Sequence, residues 1–363
     1  MIPITKPAIG EDEIRAVEEV LRSGYIVQHN KTKEFEDMFS SYITTKCGVA
    51  TSSGTTALMI ALQALGLKEG DEVITTPFTF AATGNSILYA GAKPVFADID
   101  PKTFNINPHS IEERITEKTK AVLPVHLYGQ PCEMKKIMKL CHDNGLLLIE
   151  DAAQAHGAEY NERKAGSFGD VSCFSFYATK NLVTAEGGMC LTDSEELCEK
   201  MRMIRNHGQG NQYEHHILSY NFRMTDINAA LGLVQLKKLD SLNDKRTANA
   251  RFFNESLKNI EWLETPFVPD NVKHAWHQYT LKILHGKRDD FLKHMENKGV
   301  GCRVYYPIPL YLQPFYRTMG FKEGLCPISE RTAKEVVSIP VGPHLTETDK
   351  IKIVDAIKGF NNV

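Results

Sequence analysis

Three features of the chain predict an α/β fold, with a mostly parallel, helix-covered sheet in a large domain and a smaller C-terminal α/β domain. Between about residues 45 and 195, short β-rich runs alternate with helical ones, the pattern of a sheet covered by helices. Several of those runs are apolar without alternation, as strands buried on both faces must be. After about residue 225 a long polar helix, "DINAALGLVQLKKLDSLNDKRTANARFFNESL", leads into a strand-bearing tail with a proline-rich segment, and reads as a bridge between the two domains. The division expected is 31–240 for the large domain and 241–363 for the small one, joined by the segment 1–30.

In order along the chain, the strands expected are "CGVATS", "DEVITTPF", "KPVFADID", "KAVLPVHLYG", "LLLIED", "VSCFSF" and "GMCLTD". Helices fall between them. "TTALMIALQALGL" puts Leu58, Leu62 and Leu65 on one face and stops at Gly66, and "EMKKIMKLCHDNG" stops at Gly145.

A chain of 363 residues can bury a large core. A net charge of -3 with both signs spread along it gives no reason to expect nucleic acid or an anionic membrane as partner, so a small ligand is expected. The N-terminus lacks a basic segment followed by an apolar core, and no run approaches a membrane span, so a cytoplasmic location is expected. Among the eight cysteines there is no C-x-x-C pair, and Cys173 and Cys190 lie in apolar runs; reduced core thiols are expected. His274 and His277, in "HAWHQYTLKIL", lead into an alternating apolar run and read as the approach to a strand rather than as metal ligands.

In open parallel sheets, ligands sit outside the carboxyl ends of the strands, so polar residues that end apolar runs are the first candidates. "CGVATSSGTTALMIAL" turns through Ser53, Gly54 and Thr55 into a helix, where free N–H groups and the helix dipole suit a phosphate; the same turn would also serve as a plain helix cap. Neither the triphosphate-loop pattern nor G-x-G-x-x-G is present, which points away from ATP and NAD. "FSFYATKN" reads as a strand ending at Lys180, whose amine burial would make nucleophilic and able to form a Schiff base with a carbonyl; a snorkelling lysine is the plainer alternative. "LLLIEDAAQAHGA" ends in Glu150 and Asp151, which alternate along a strand, so only one can face a ligand. Pyridoxal 5'-phosphate (PLP) would unite these places, since it needs a lysine, an acidic partner for its ring nitrogen and a phosphate cradle. Asp151 is then the acidic partner.

Seven stretches in order carry a resemblance over almost the whole chain: "SSGTTAL", "TPFTFAATGNSILYAGAKPVFADID", "EDAAQAHGA", "GDVSCFSFYATKN", "EGG", "YNFRMTDINAALG" and "YYPIPLY". The chain resembles the sugar aminotransferases of the DegT/DnrJ/EryC1/StrS family, which have the fold type I architecture of aspartate aminotransferase. The resemblance implies that Lys180 is the cofactor lysine, that Asp151 partners the ring nitrogen, and that Gln154 lies beside the ring hydroxyl. It also implies that Gly54, Thr55 and Ser175 cradle the phosphate, that Phe80 stacks on the cofactor, and that Asn221 reaches the phosphate of the neighbouring subunit in a homodimer. Tyr306, in "RVYYPIPLY", becomes a candidate substrate contact.

The reaction implied is transfer of an amino group from an amino acid, with L-glutamate expected, to a nucleotide-linked 3- or 4-keto sugar. Relatives with histidine at the lysine position act as sugar dehydratases, which Lys180 argues against. A PLP-binding regulatory protein without turnover is the other alternative. Gly187 and Gly188 are expected to let their loop lie close beside the ring.

Overall fold

The computed structural model describes residues 1–360. All seven expected runs form strands of one sheet: β1 (Cys47–Thr51), β2 (Glu72–Thr75), β3 (Lys93–Phe96), β4 (Thr119–Leu123), β5 (Leu147–Asp151), β6 (Val171–Ser175) and β7 (Gly188–Thr192). Their spatial order is β1-β7-β6-β5-β4-β2-β3. Only β7 runs against its neighbours; the remaining pairings are parallel. The central strands β6 and β7 are buried along their whole length, which accounts for their unbroken apolar sequences.

Helices cover both faces. Gly54–Ala64 buries Leu58 and Leu62, and Met134–Asn144 ends in Gly145 at a left-handed φ of 62°. The long helix is Asp226–Leu257, 32 residues or about 48 Å, started by Thr225, whose hydroxyl accepts from the Asn228 amide at 3.3 Å. It runs unbroken through residue 240, where the sequence suggests a domain boundary. Beyond it, the strands Leu263–Glu264, Tyr279–Ile283 and Val336–Ile339 form a second sheet. An apolar core around Phe253, Leu281, Phe291, Val337 and Ile353 packs on that sheet and takes in Ile2 from the N-terminus. The end of the expected 241–363 region, residues 361–363, lies outside the described residues.

Two expectations change. The strand expected to reach Lys180 ends at Ser175: past Phe176 the chain leaves the sheet, and the Lys180 amide donates to the Tyr177 carbonyl at 2.8 Å to close a turn. Cys47, at the start of β1, is joined to Cys198 of the helix Glu195–Arg205 in a disulfide rather than standing as a free thiol; the other six cysteines are free and buried. Among the described residues no helix is long and apolar enough to cross a membrane, and no cluster of His, Cys, Asp and Glu could hold a metal ion.

Candidate active site

The carboxyl ends of β1, β2, β4, β5 and β6 open onto one cavity of about 380 Å³, and the antiparallel β7 begins at the same edge. At one end lies the turn from β1 into the helix Gly54–Ala64. Ser53 caps this helix: its hydroxyl accepts from the Thr56 amide at 3.2 Å, and its own amide donates to Thr56 Oγ1 at 3.0 Å. The reciprocal cap occupies those two amides and leaves the N–H groups of Gly54 and Thr55 at the cavity wall, at the positive end of the helix. Ser175 closes the other side of this cradle. A Cβ on Gly54 would lie 2.6 Å from Ser175 Cβ, so glycine is what lets the two strand ends approach.

Glu150 and Asp151 point to opposite sides of the sheet, as strand alternation requires. Glu150 is fully buried away from the cavity, where its carboxylate accepts from the amides of Gly166, Phe168 and Gly169 at 2.8, 2.6 and 2.8 Å. Its fourth partner is His126 Nε2 at 2.9 Å; the Cys132 amide donates to His126 Nδ1, which places the ring proton on Nε2. Asp151 instead lines the cavity, where Oδ2 accepts from the Thr83 hydroxyl at 2.8 Å and Oδ1 from the Ala153 amide at 3.2 Å. Burial raises the Asp151 pKa, and these two donors and the Lys180 charge oppose that shift.

Lys180 lines the same cavity from the turn after β6. Burial lowers its pKa to about 8, against the pull of Asp151, so a usable fraction of free amine exists near neutral pH.

Gln154 is held at both ends of its amide: the oxygen accepts from the Tyr128 amide at 2.8 Å and the nitrogen donates to the Tyr306 hydroxyl at 3.2 Å. Tyr306 thereby enters the cavity from the C-terminal segment, and its ring lies 6.2 Å from that of Phe80. Phe80 is 59% exposed, an apolar face open at the cavity wall. All but one of the expected residues therefore line this cavity. The exception is Asn221, which is exposed outside it, bridges in backbone to Asn206, and accepts from the Arg223 amide at 3.4 Å.

Thr79, Thr83, Tyr177, Glu186, His277 and Gln278 also line the cavity without having been expected there. The four-residue spacing of Thr79 and Thr83 at a helix start was a readable signal. His277 and Gln278 carried none, since they come from the approach to a distant strand. Gly187 and Gly188 have a different role from the one expected. Neither lines the cavity; a Cβ on Gly188 would lie 2.3 Å from the Ser53 carbonyl oxygen, and one on Gly187 2.4 Å from Thr184 Oγ1, so they make room for protein atoms.

PLP is consistent with this donor set: two free helix-start amides and a serine for a phosphate, a buried carboxylate for a ring nitrogen, and an amine of lowered pKa for an aldehyde. The chain is 43% identical to a pleiotropic regulatory protein of Geobacillus stearothermophilus, over 96% of this chain and 94% of that one. It is 41% identical to a UDP-N-acetyl-3-dehydro-α-D-glucosamine 3-aminotransferase of Acidithiobacillus ferrooxidans, over 86% of this chain and 83% of the relative. Its structure superimposes, with a TM-score of 0.94, on the PLP form of a Streptococcus pneumoniae protein assigned as a sugar aminotransferase; the two are 30% identical, over 98% of this chain and 97% of the other. Residues 7–358 match the DegT/DnrJ/EryC1/StrS aminotransferase family. The cavity and these likenesses agree: this chain belongs to the DegT/DnrJ/EryC1/StrS aminotransferase family.

Proposed function

We propose that the protein uses PLP to move an amino group from L-glutamate to the ketone of a nucleotide-linked 3- or 4-keto sugar, in the cytoplasm and as a homodimer. The observation that carries this reading is the placing of Lys180 and Asp151 in one cavity with the capped helix start. When bound, PLP would supply an electron sink for the charge that builds on a substrate carbon as its proton leaves. The Gly54 and Thr55 amides and Ser175 would hold the phosphate, Asp151 would hold a proton on the ring nitrogen, and Gln154 would sit beside the ring hydroxyl. Phe80 would cover one ring face and keep water from it. Lys180 would take the proton from the substrate carbon and return it on the cofactor side, work suited to an amine with a pKa of about 8. Tyr306, hydrogen-bonded to Gln154, would meet the sugar.

The dimer is supported by the surface around Asn221. Leu218 and Tyr213 are 88% and 82% exposed, large apolar residues that a second copy would cover while bringing Asn221 to its partner's phosphate.

The relative named as a regulatory protein favours a second reading, a PLP-binding protein without turnover. One experiment separates the two: UDP-, dTDP- and GDP-linked keto sugars are incubated with PLP-loaded protein and L-glutamate, and the products are weighed by mass spectrometry. Replacement of a ketone by an amine in one of them is the result expected. Unchanged sugars together with no 2-oxoglutarate would leave the regulatory reading.

A further inference from the structure

The donors to Asp151 form a chain. Thr83 Oγ1 lies 2.8 Å from Asp151 Oδ2, and Thr79 Oγ1 lies 2.9 Å from Thr83 Oγ1. An ionised carboxylate can only accept, so the Thr83 proton points to Asp151, and the Thr83 oxygen is left to accept from the Thr79 hydroxyl. The two hydroxyls are thus polarised in one direction, toward the carboxylate, and each strengthens the other in a site of low dielectric. Thr83 is 1% and Thr79 4% exposed, so water does not compete for these bonds. Thr83 lies in the first turn of the helix Ala81–Tyr89 and Thr79 just before its N-cap, so the positive end of that helix lies close to Asp151.

We propose that Thr83, backed by Thr79, is a positioning residue that keeps Asp151 ionised and aimed into the cavity at the cofactor ring nitrogen. This rests on the PLP reading of the site. A carboxylate buried this deeply tends to take up a proton, and a protonated Asp151 could no longer hold the ring nitrogen in its charged form. The other groups facing Asp151 are Lys180 from the turn after β6, Cys173 paired with it on β6, His126 from the segment after β4, and Tyr306 from the C-terminal segment. Of these, burial lowers Lys180 to about 8, and its charge opposes the upward shift of Asp151. None of them donates a hydrogen bond to the carboxylate; Thr83 and the Ala153 amide do.

The test is the affinity of the apoprotein for PLP as a function of pH in wild type, Thr83→Val, Thr83→Ser and Thr79→Val. Val keeps the shape of threonine and removes the donor; Ser keeps the donor. For Thr83→Val the acid limb of the profile moves upward by about one pH unit, a tenfold loss of affinity on that limb. Thr83→Ser stays with wild type, and Thr79→Val falls between, since Thr83 can still donate without its backing hydroxyl. In the loaded protein, the ¹⁵N resonance of labelled cofactor moves toward the neutral pyridine position in Thr83→Val. A variant that is merely misfolded loses affinity equally at every pH. A Thr83→Val profile superimposable on wild type, or lost affinity at every pH with an unmoved acid limb, overturns the inference while leaving the PLP reading intact. A wild-type protein that binds no PLP overturns both.

Discussion

Lys180 and Asp151 share one cavity, and the same burial drives their pKa values toward each other: the amine falls to about 8 while the carboxyl rises. Each group's charge opposes the other's shift. Under the proposed function these are the base and the ring-nitrogen partner, and burial shifts both before any ligand arrives.

Lys180→Ala should remove the base while leaving the cradle in place. The half-reaction with L-glutamate is expected to slow by about a thousandfold or more, with PLP still retained on dialysis. Stopped-flow spectroscopy and cofactor content check the two halves separately, and near-normal turnover would remove Lys180 from its role.

In the apoprotein the Lys180 amine should react with an amine-acylating reagent half-maximally near pH 8, whereas exposed lysines require about pH 10.4. Peptide mass spectrometry over a pH series reads each lysine. A Lys180 curve coinciding with the exposed ones would show that burial does not lower it.

Asp151 has its folded pKa raised above the unfolded value, so the folded chain holds this proton more tightly than the unfolded one. Its contribution to stability is therefore present below the unfolded pKa of about 3.8 and is lost as pH rises through the raised folded pKa. At neutral pH the ionised carboxylate destabilises the apoprotein, and Asp151→Asn should melt higher by roughly 1–3 °C. The same variant should bind PLP more weakly and turn over at least about a hundredfold more slowly. Calorimetry of the apo forms decides it; a lower melting point would contradict the sign.

Gly54→Ala places a Cβ 2.6 Å from Ser175 Cβ and should destabilise the fold by about 1–3 kcal/mol while weakening PLP binding. Because the clash is with Cβ, Ser175→Ala should not relieve it, whereas Ser175→Gly in the double variant should. Denaturant melts of the four proteins test this coupling.

Glu36 and Arg205 form a buried ion pair, both also bonded to the backbone of Ala50. Glu36→Ala leaves the guanidinium buried without its counter-charge and is expected to lose about 3–5 kcal/mol. A loss below 1 kcal/mol in urea melts would show that water reaches Arg205 there.

The sheet was legible because strands buried on both faces are apolar without alternation, as "VSCFSF" and "LLLIED" are over most of their length, and because turns and helical runs separate the seven stretches from "CGVATS" to "GMCLTD". The division of labour between Glu150 and Asp151 was legible as alternation, though alternation alone could not say which faced the cavity; the cofactor reading selects Asp151 as the acidic partner, and the resemblance implies the same residue. The end of β6 was misread because Phe176, Tyr177 and Ala178 continue an apolar pattern, while what ends the strand is a backbone turn that composition does not record. The Cys47–Cys198 pairing spans 151 residues, and Gln154 meets Tyr306 across 152, contacts that only the folded chain brings together. The expected division at residue 240 falls within a single helix. The long helix passes through it unbroken, and Tyr42 donates to Asp240 at 2.6 Å, tying that point to the N-terminal helix Asn30–Ile43.

The most direct test of the aminotransferase account is the visible spectrum of the PLP-reconstituted protein before and after addition of L-glutamate. A yellow protein is expected, whose visible band disappears as the cofactor takes the amino group, with one 2-oxoglutarate released per site. A protein that takes up no PLP, or a yellow one whose band and 2-oxoglutarate yield do not respond to any amino acid, would contradict it.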